Sequence, residues 1–381
     1  MDKNENWRPE TLAAQALGWI DDKTKAVTPP IHMSSTFLRD PDNQYRSGHS
    51  YIRDENPAFR QAEALLAKLE NGTQANLFAS GMAAATAIFL ALRPGDHVVA
   101  PDVMYWALRK WLKTYATEWG LKVDFVAMDD KAAVAAAIRP GETKLVWVES
   151  PANPLWRVAD IALIADLAHR AGARLAVDST VATPVHCRPL DLGADIVMHS
   201  ATKYLNGHSD ICAGALVTKA ADEHWVRIRT VRGSHGALLG SVEAWLLLRG
   251  MRSLFPRVRQ QSATALDLAQ RFQKHPQVAE VLYPGLPDFP GHDIAARQMQ
   301  GGFGGMLSIR VKGGTAAAIA TAARVALWQR ATSLGGTESL IEQRASVEGP
   351  ETTTPGNLLR LSAGLEDAGD LYRDLDQAMS A

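Results

Sequence analysis

Lys203 sits in the run Ser200-Ala201-Thr202-Lys203-Tyr204-Leu205-Asn206-Gly207-His208-Ser209-Asp210. Apolar Ile196-Val197-Met198 precedes the run, and Ala213 to Val217 follows it. Both apolar stretches read as strands, so the lysine arrives at a strand end between the hydroxyls of Ser200 and Thr202. An amine in that setting can form a Schiff base with pyridoxal 5'-phosphate while the hydroxyls hold the phosphate. Taken alone, the run reads more simply as a surface lysine in a polar loop. A second group shifts the balance. Leu175-Ala176-Val177-Asp178-Ser179-Thr180 is an apolar strand ending in an acid, 25 residues before the lysine. Neighbouring parallel strands would set acid and amine side by side at the carboxyl edge of a sheet. Pyridoxal chemistry uses that pair: the amine holds the aldehyde, and the carboxylate keeps the pyridine nitrogen protonated so that the ring accepts electrons. Asp178 could instead cap a helix, as could Ser179 and Thr180, but the pairing with Lys203 outweighs that role.

Other residues are candidates for the same site. Ser80-Gly81-Met82 closes a short strand and opens an alanine-rich helix whose first amides suit a phosphate, although a plain strand-to-helix junction looks the same. Tyr105 lies where a strand's loop re-enters a helix, and it can stack on a flat ring or serve as one core aromatic among others. Asn153, in the loop Glu149-Ser150-Pro151-Ala152-Asn153-Pro154, can bond a ring substituent or simply shape a turn. Arg360 lies inside the apolar run Asn357 to Ser362 and wants a carboxylate, from an amino-acid substrate or from a protein acid. Gly301-Gly302-Phe303-Gly304-Gly305 leads into a strand, so it reads as a mobile turn and not a phosphate cradle.

The elements that must position these groups follow from length and pattern. The 381 residues predict two or three domains, and 46% hydrophobic with 21% charged residues is ordinary for a soluble enzyme. A net charge of −1 gives nothing to steer nucleic acid or an anionic membrane. No apolar run approaches the roughly 18 residues of a membrane helix, and Met1 to Glu10 is polar with no signal-peptide core. Cys187 and Cys212 lack disulfide or zinc spacing and read as buried thiols in a reducing cytoplasm. The 11 histidines form no H-x-x-x-H or H-E-x-x-H pair, so no metal is expected.

Residues 1–55 carry turn signals and read as an irregular arm without a core, expected to pack elsewhere, on another subunit. A helix from about Ala58 to Glu70 follows. Strands near 122–127, 145–149, 174–178, 195–199 and 213–217 alternate with helical patterns near 106–119, 131–138 and 160–171. That alternation predicts an α/β domain over 56–248, with a mostly parallel sheet covered on both faces by helices. A long amphipathic helix near 257–274 then leads to strands at 278–283, 305–311 and 358–362, a smaller C-terminal α+β domain over 249–381.

The set resembles the cystathionine γ-synthase-like family of pyridoxal-phosphate enzymes of cysteine and methionine metabolism, a branch of fold type I. The resemblance runs from about Thr28 to the C-terminus. Its most specific pieces are Ser200 to Asp210, Arg188-Pro189-Leu190-Asp191-Leu192-Gly193-Ala194-Asp195 and Ser333-Leu334-Gly335-Gly336-Thr337-Glu338-Ser339-Leu340. It implies a large domain with a seven-stranded type of sheet and a smaller C-terminal domain. Lys203 would carry the Schiff base and shuttle the Cα proton. Asp178 would pair with the pyridinium nitrogen, and Tyr105, counted with Lys203 as catalytic, would stack on the ring. Gly81, Met82, Ser200 and Thr202 would hold the phosphate, with Asn153 and Thr180 around the ring. Tyr51-Ile52-Arg53 matches the Tyr-x-Arg that members extend to a neighbouring subunit's phosphate, which implies a dimer, commonly paired into a tetramer. Arg360 and Ser333 match the positions that bind the substrate α-carboxylate.

The implied activity is cleavage of the Cγ–heteroatom, or Cβ–heteroatom, bond of an L-amino acid related to methionine, cystathionine or homoserine. The alternatives are replacement of an activated homoserine ester by a thiol, and γ-elimination from a non-sulfur substrate such as canavanine. An oxidoreductase on a doubly wound sheet would want a G-x-G-x-x-G after its first strand, which is missing. A catalytically silent binding protein is at odds with an intact Lys203–Asp178 pair. Departures from the family pattern bear on the substrate's far end. Trp106-Ala107-Leu108 follows Tyr105 where members often read Gly-Gly-Thr, Thr332 stands where many carry a glutamate, Gln343-Arg344 replaces His-Pro, and Ser179 replaces asparagine. Thr332 cannot meet a distal ammonium, so cystathionine is expected to bind less well than in typical members. Trp106 would suit a flat, apolar or guanidino-oxy end.

Overall fold

A computed structural model of the chain describes residues 6–349 and 352–380. One sheet holds β1 (Gln74–Phe78), β2 (His97–Pro101), β3 (Lys122–Val126), β4 (Thr143–Glu149), β5 (Arg174–Asp178), β6 (Ile196–His199) and β7 (Gly214–Thr218). Their order is β1-β7-β6-β5-β4-β2-β3. β7 runs antiparallel to both its neighbours, and the remaining pairs are parallel.

The strands are apolar on both sides, as a covered parallel sheet requires. Successive residues alternate between faces. Val146, Val148, Leu175 and Val177 join one apolar layer, while Leu145, Trp147, Ala176 and Met198 join the other. Helices Pro57–Leu69 and Ile161–Arg170 cover the first layer, and Gly81–Leu90 and Trp106–Trp111 cover the second. Side-chain caps begin several of these helices: Ala58 N donates to Asn56 Oδ1 ahead of Pro57, Ala83 N to Ser80 Oγ, and Leu163 N to Asp160 Oδ1. Each such cap contributes about 1 kcal/mol.

The reversed strand fixes the place of the lysine. A parallel return from β6 would need a crossover, usually a helix. β7 comes straight back instead, so residues 200–213 stay at the carboxyl end of β6. The registers Phe78↔Gly214 and His199↔Ala215 then bring the end of β1 to the same edge. Ser80-Gly81 and Ser200 become neighbours there.

A second sheet holds β8 (Val278–Leu282), β9 (Met306–Val311), β10 (Gln329–Arg330), β11 (Leu340–Gln343) and β12 (Leu358–Ser362), in the order β10-β11-β12-β9-β8. Only β10 and β11 are parallel. β11 escapes a reading by pattern because it is four residues long and half polar. Helices Ser241–Met251 and Leu254–Phe272 pack in the first apolar layer. Arg257, buried at the start of the second, donates from Nη1 to the Tyr204 carbonyl at 3.0 Å and from Nη2 to the Gly250 carbonyl at 2.8 Å. It pins the chain just past Lys203.

The N-terminal segment departs from expectation. Residues 1–5 lie outside the described residues, but Pro9–Ala14 is a helix, and Leu12, Ala13 and Ala16 are buried in the chain's own core. Pro9 at its first position and apolar residues on one face suffice to dock it. The coreless part is thus shorter than 1–55; from Ile20 to Asn56 the chain is turns and irregular backbone and exposes Val27, Met33 and Leu38. Among the described residues, no helix is long and apolar enough to cross a membrane.

Gly250 permits the close approach of helix Ser241–Met251 to the lysine segment. A Cβ there would lie 2.2 Å from the Asn206 carbonyl oxygen and 2.8 Å from its Cα. Gly250→Ala is expected to destabilise the protein by about 1–3 kcal/mol, the usual range for overpacking. A lowered melting midpoint in thermal scans checks this, and an unchanged midpoint contradicts it.

Candidate active site

The carboxyl ends of β1, β4, β5 and β6 open on a cavity of about 480 Å³. Gly81 and Met82 line it from the helix after β1, Asn153 from the loop after β4, and Asp178 and Thr180 from the end of β5. Ser200, Thr202 and Lys203 enter after β6, and Tyr105 from the loop after β2. The second sheet supplies Thr332, Ser333 and Arg360. Tyr51 and Arg53 lie elsewhere: Arg53 Nη1 donates to the Gly233 carbonyl at 3.3 Å, with its guanidinium 5.8 Å from the centre of the Tyr51 ring.

Lys203 Nζ donates to Ser333 Oγ at 2.6 Å. Burial first, and then the Arg360 charge, draw its pKa down to about 8. The amine is therefore far closer to its neutral, nucleophilic form at neutral pH than an ordinary lysine. Asp178 accepts from Thr180 N at 3.0 Å, and burial pushes its pKa up, so it favours a cationic partner. Thr180 Oγ1 in turn accepts from Ser200 N at 2.8 Å, tying the two strand ends together. The Thr202 hydroxyl faces the Ala213 backbone, accepting from its N at 2.9 Å. Arg360 meets both of its anticipated kinds of surroundings. It pairs with Glu342 at 2.7 Å and still lines the cavity, where Nη2 donates to the Ser333 carbonyl at 2.8 Å and Nη1 to Asn153 Oδ1 at 3.4 Å.

Several working residues had no local signal. Glu149, beside Asp178 in register, is 7% exposed and accepts from Tyr105 N at 2.7 Å and Asn153 N at 2.9 Å. It holds both cavity loops, and burial with the charge of Asp178 beside it pushes its pKa up. Glu342 became visible only through the register Glu342↔Arg360. Arg344 also lines the cavity, so the guanidino-oxy end suited to Trp106 alone would meet like charge there. Of the two thiols, Cys187 is buried and its pKa is pushed up to about 12 by burial, whereas Cys212 is exposed at the cavity wall. The expectation of two buried thiols is corrected accordingly: Cys212 follows an open loop and not a packed strand.

The donor set fits pyridoxal phosphate. A Cβ on Gly81 would come within 2.8 Å of Ser200 Cβ and Oγ, so a side chain there would fill the space between the helix start and the lysine segment. Amides at such a start, with the Ser200 hydroxyl, suit a phosphate. The amine and the buried acid lie across the same cavity.

A family model for the Cys/Met metabolism PLP-dependent enzymes matches residues 10–380. The cystathionine gamma-synthase of Mycobacterium tuberculosis is 45% identical over 379 residues, covering 97% of this chain and 96% of that protein. The cystathionine gamma-lyase of Dictyostelium discoideum is 40% identical, covering 100% of this chain and 99% of that protein. The crystal structure of metB from Corynebacterium glutamicum superposes with a TM-score of 0.95 at 37% identity, covering 99% of each chain. The chain belongs to the Cys/Met metabolism family of pyridoxal-phosphate-dependent enzymes, and its cofactor is pyridoxal 5'-phosphate.

In cofactor-free protein the Lys203 amine is expected to titrate near pH 8 and not 10.5. At pH 7 that makes its neutral fraction roughly 300-fold larger than that of an ordinary lysine. Borohydride trapping of an aldehyde across a pH series, with peptide mapping, checks the midpoint. A midpoint above 10, or label confined to other lysines, contradicts it.

Proposed function

We propose that this chain releases the γ-heteroatom group of L-amino acids of the methionine, cystathionine or homoserine type. The observation that carries the reading is the shared seat of amine and guanidinium on Ser333. Its hydroxyl accepts from Lys203 at 2.6 Å and its carbonyl from Arg360 at 2.8 Å. Ser333 holds φ +91°, a conformation that costs a non-glycine residue about 1–3 kcal/mol and collects at functional sites.

When bound, pyridoxal phosphate supplies an electron sink that acidifies the hydrogen on the substrate's α-carbon. Gly81, Met82, Ser200 and Thr202 are assigned to its phosphate, Asp178 to its ring nitrogen, Tyr105 to its ring face, and Asn153 and Thr180 to its surroundings. Arg360 takes the α-carboxylate through a charge-assisted fork, with Ser333 beside it. Lys203, whose lowered pKa of about 8 gives it a sizeable neutral fraction near neutral pH, accepts a proton from the α-carbon in that form, and γ-chemistry then needs a second transfer from the β-carbon. β-Elimination would need only the first. Replacement of the γ-group by a thiol is the second reading, favoured by the 45% identity to the mycobacterial synthase.

With Lys203→Ala, turnover is expected to fall by about 10²–10⁴-fold or more, the usual worth of a proton-transferring group. In a panel with and without L-cysteine, L-cystathionine, L-methionine and O-acetyl-L-homoserine should give 2-oxobutanoate by themselves and a thioether when thiol is present, while L-cystine, which has no γ-carbon and can only yield pyruvate, should turn over poorly. Pyruvate as the dominant product, or no turnover of any member, contradicts the reading.

The same proposal extends to assembly: a cytoplasmic homodimer, commonly paired into a tetramer, in which the part of the 1–55 arm beyond its docked helix reaches a neighbour beside the 56–248 and 249–381 domains. Its support is that Tyr51 is 45% exposed and Arg53 lies away from the chain's own cavity. Mixing inactive Arg53→Ala with inactive Lys203→Ala subunits should restore part of the activity, because one mixed site carries neither change. Activity that stays absent after verified subunit exchange rules out a shared site.

A further inference from the structure

Arg344 is a charged group lining the cavity that the reaction described above does not use. It directly follows β11, and only 2% of its side chain is exposed. Nη1 meets Glu342 Oε2 at 3.0 Å, and Nε meets Glu348 Oε1 at 3.0 Å. Both acids are already engaged. Glu342 Oε2 also holds Arg360 at 2.7 Å, and Glu348 Oε2 accepts from the hydroxyls of Thr352 and Thr354 at 2.6 and 2.7 Å. The buried Nη2 has no acceptor among the described residues. A guanidinium carries its donors in a fixed planar fork, so this group cannot turn one donor toward water without releasing the others. A buried N–H without a partner is a standing cost that an incoming acceptor removes.

The neighbours of Arg344 set what that acceptor can be. Thr332 and Val347 line the same cavity without charge, and Trp106 offers an apolar wall. Trp106 and Val347 also line an adjoining cavity of about 450 Å³, which carries Arg109, Lys110 and Lys113. Asp102 and Glu348 face that outer cavity too, but Asp102 lies 3.6 Å from Arg157, and Glu348 is held by Arg344 itself. A ligand that reaches past Arg360 therefore finds Arg344, Arg109 and Lys110, while Glu149 in the same cavity is held by the Tyr105 and Asn153 amides and Glu348 by Arg344. A distal ammonium would be repelled there, and a distal anion would supply the missing acceptor.

We propose that Arg344 is a specificity-determining anion subsite, which receives a negatively charged distal end of the substrate's side chain while Arg360 receives the α-carboxylate. The inference rests on the reading of the cavity as an amino-acid site. A terminal carboxylate and a phosphate group share the required chemistry, and the test separates them.

The holoenzyme is titrated calorimetrically with three amino acids of similar reach: L-2-aminoadipate, L-2-amino-5-phosphonopentanoate and L-norleucine. At least one of the two anions should bind the wild-type enzyme tenfold or more tighter than L-norleucine, about 1.4 kcal/mol. The better of the two identifies the distal group. In Arg344→Met the advantage should shrink to less than threefold, and Arg344→Lys, which keeps the charge but not the fork, should fall between. The wild-type ratio is decisive even if the methionine variant folds poorly. L-Norleucine binding as tightly as both anions, or an anion advantage that survives in a folded Arg344→Met, overturns the subsite and leaves the amino-acid site standing. Failure of all three to bind overturns both.

Discussion

Lys203 carries its amine into a cavity where burial and the Arg360 guanidinium together draw its pKa down to about 8. That arrangement places cations near one another in a poorly hydrated space, and the fold must supply counter-charge without quenching the amine. It does so with one carboxylate oxygen, Glu342 Oε2, set between Arg360 at 2.7 Å and Arg344 at 3.0 Å. Buried ion pairs add little net stability, yet losing one partner costs about 3–5 kcal/mol because the other charge remains. Glu342 carries two such partners. The acid is directed at the guanidinium groups, while the amine is held by a neutral hydroxyl, Ser333 Oγ.

The two sheets divide this work. The first sheet brings Lys203, Asp178, Thr180 and Ser200 to one edge, because a single reversed strand returns the lysine segment without a crossover. Arg257 fastens that segment from behind through the Tyr204 and Gly250 carbonyls. The second sheet brings Arg360, proposed above as the carboxylate anchor, and antiparallel pairing of β11 with β12 sets Glu342 opposite it. Ser333 joins the halves by bonding both Lys203 and Arg360.

The relatives include a synthase and a lyase at 45% and 40% identity, so one scaffold carries more than one outcome. Asp178 and Thr180, at or just past the end of β5, and Ser200, just past β6, are held in place by backbone register. Trp106, Thr332 and Arg344 lie outside the strands and line the part of the cavity not assigned to the cofactor. Substitution there can alter the far end of the substrate while the proton-handling groups stay in place.

Lys203 and Asp178 could be read from the chain because one follows and the other ends a short apolar run, and strand periodicity is a local property of consecutive residues. The alternation of strands and helices was legible for the same reason, and with it the carboxyl edge as the site. Glu149, Glu342 and Arg344 were not, since nothing in their neighbourhoods along the chain marks them as partners. Glu149 becomes a loop anchor only once β4 lies beside β5, and Arg344 enters the cavity only because β11 pairs with β12. The docked helix Pro9–Ala14 and the exposed Cys212 were missed likewise, because burial depends on what packs against a residue. Local pattern determines which segments become strands and what their ends can carry. Long-range packing decides which charges those ends must share, since ion pairing and desolvation act through space between residues distant in the chain.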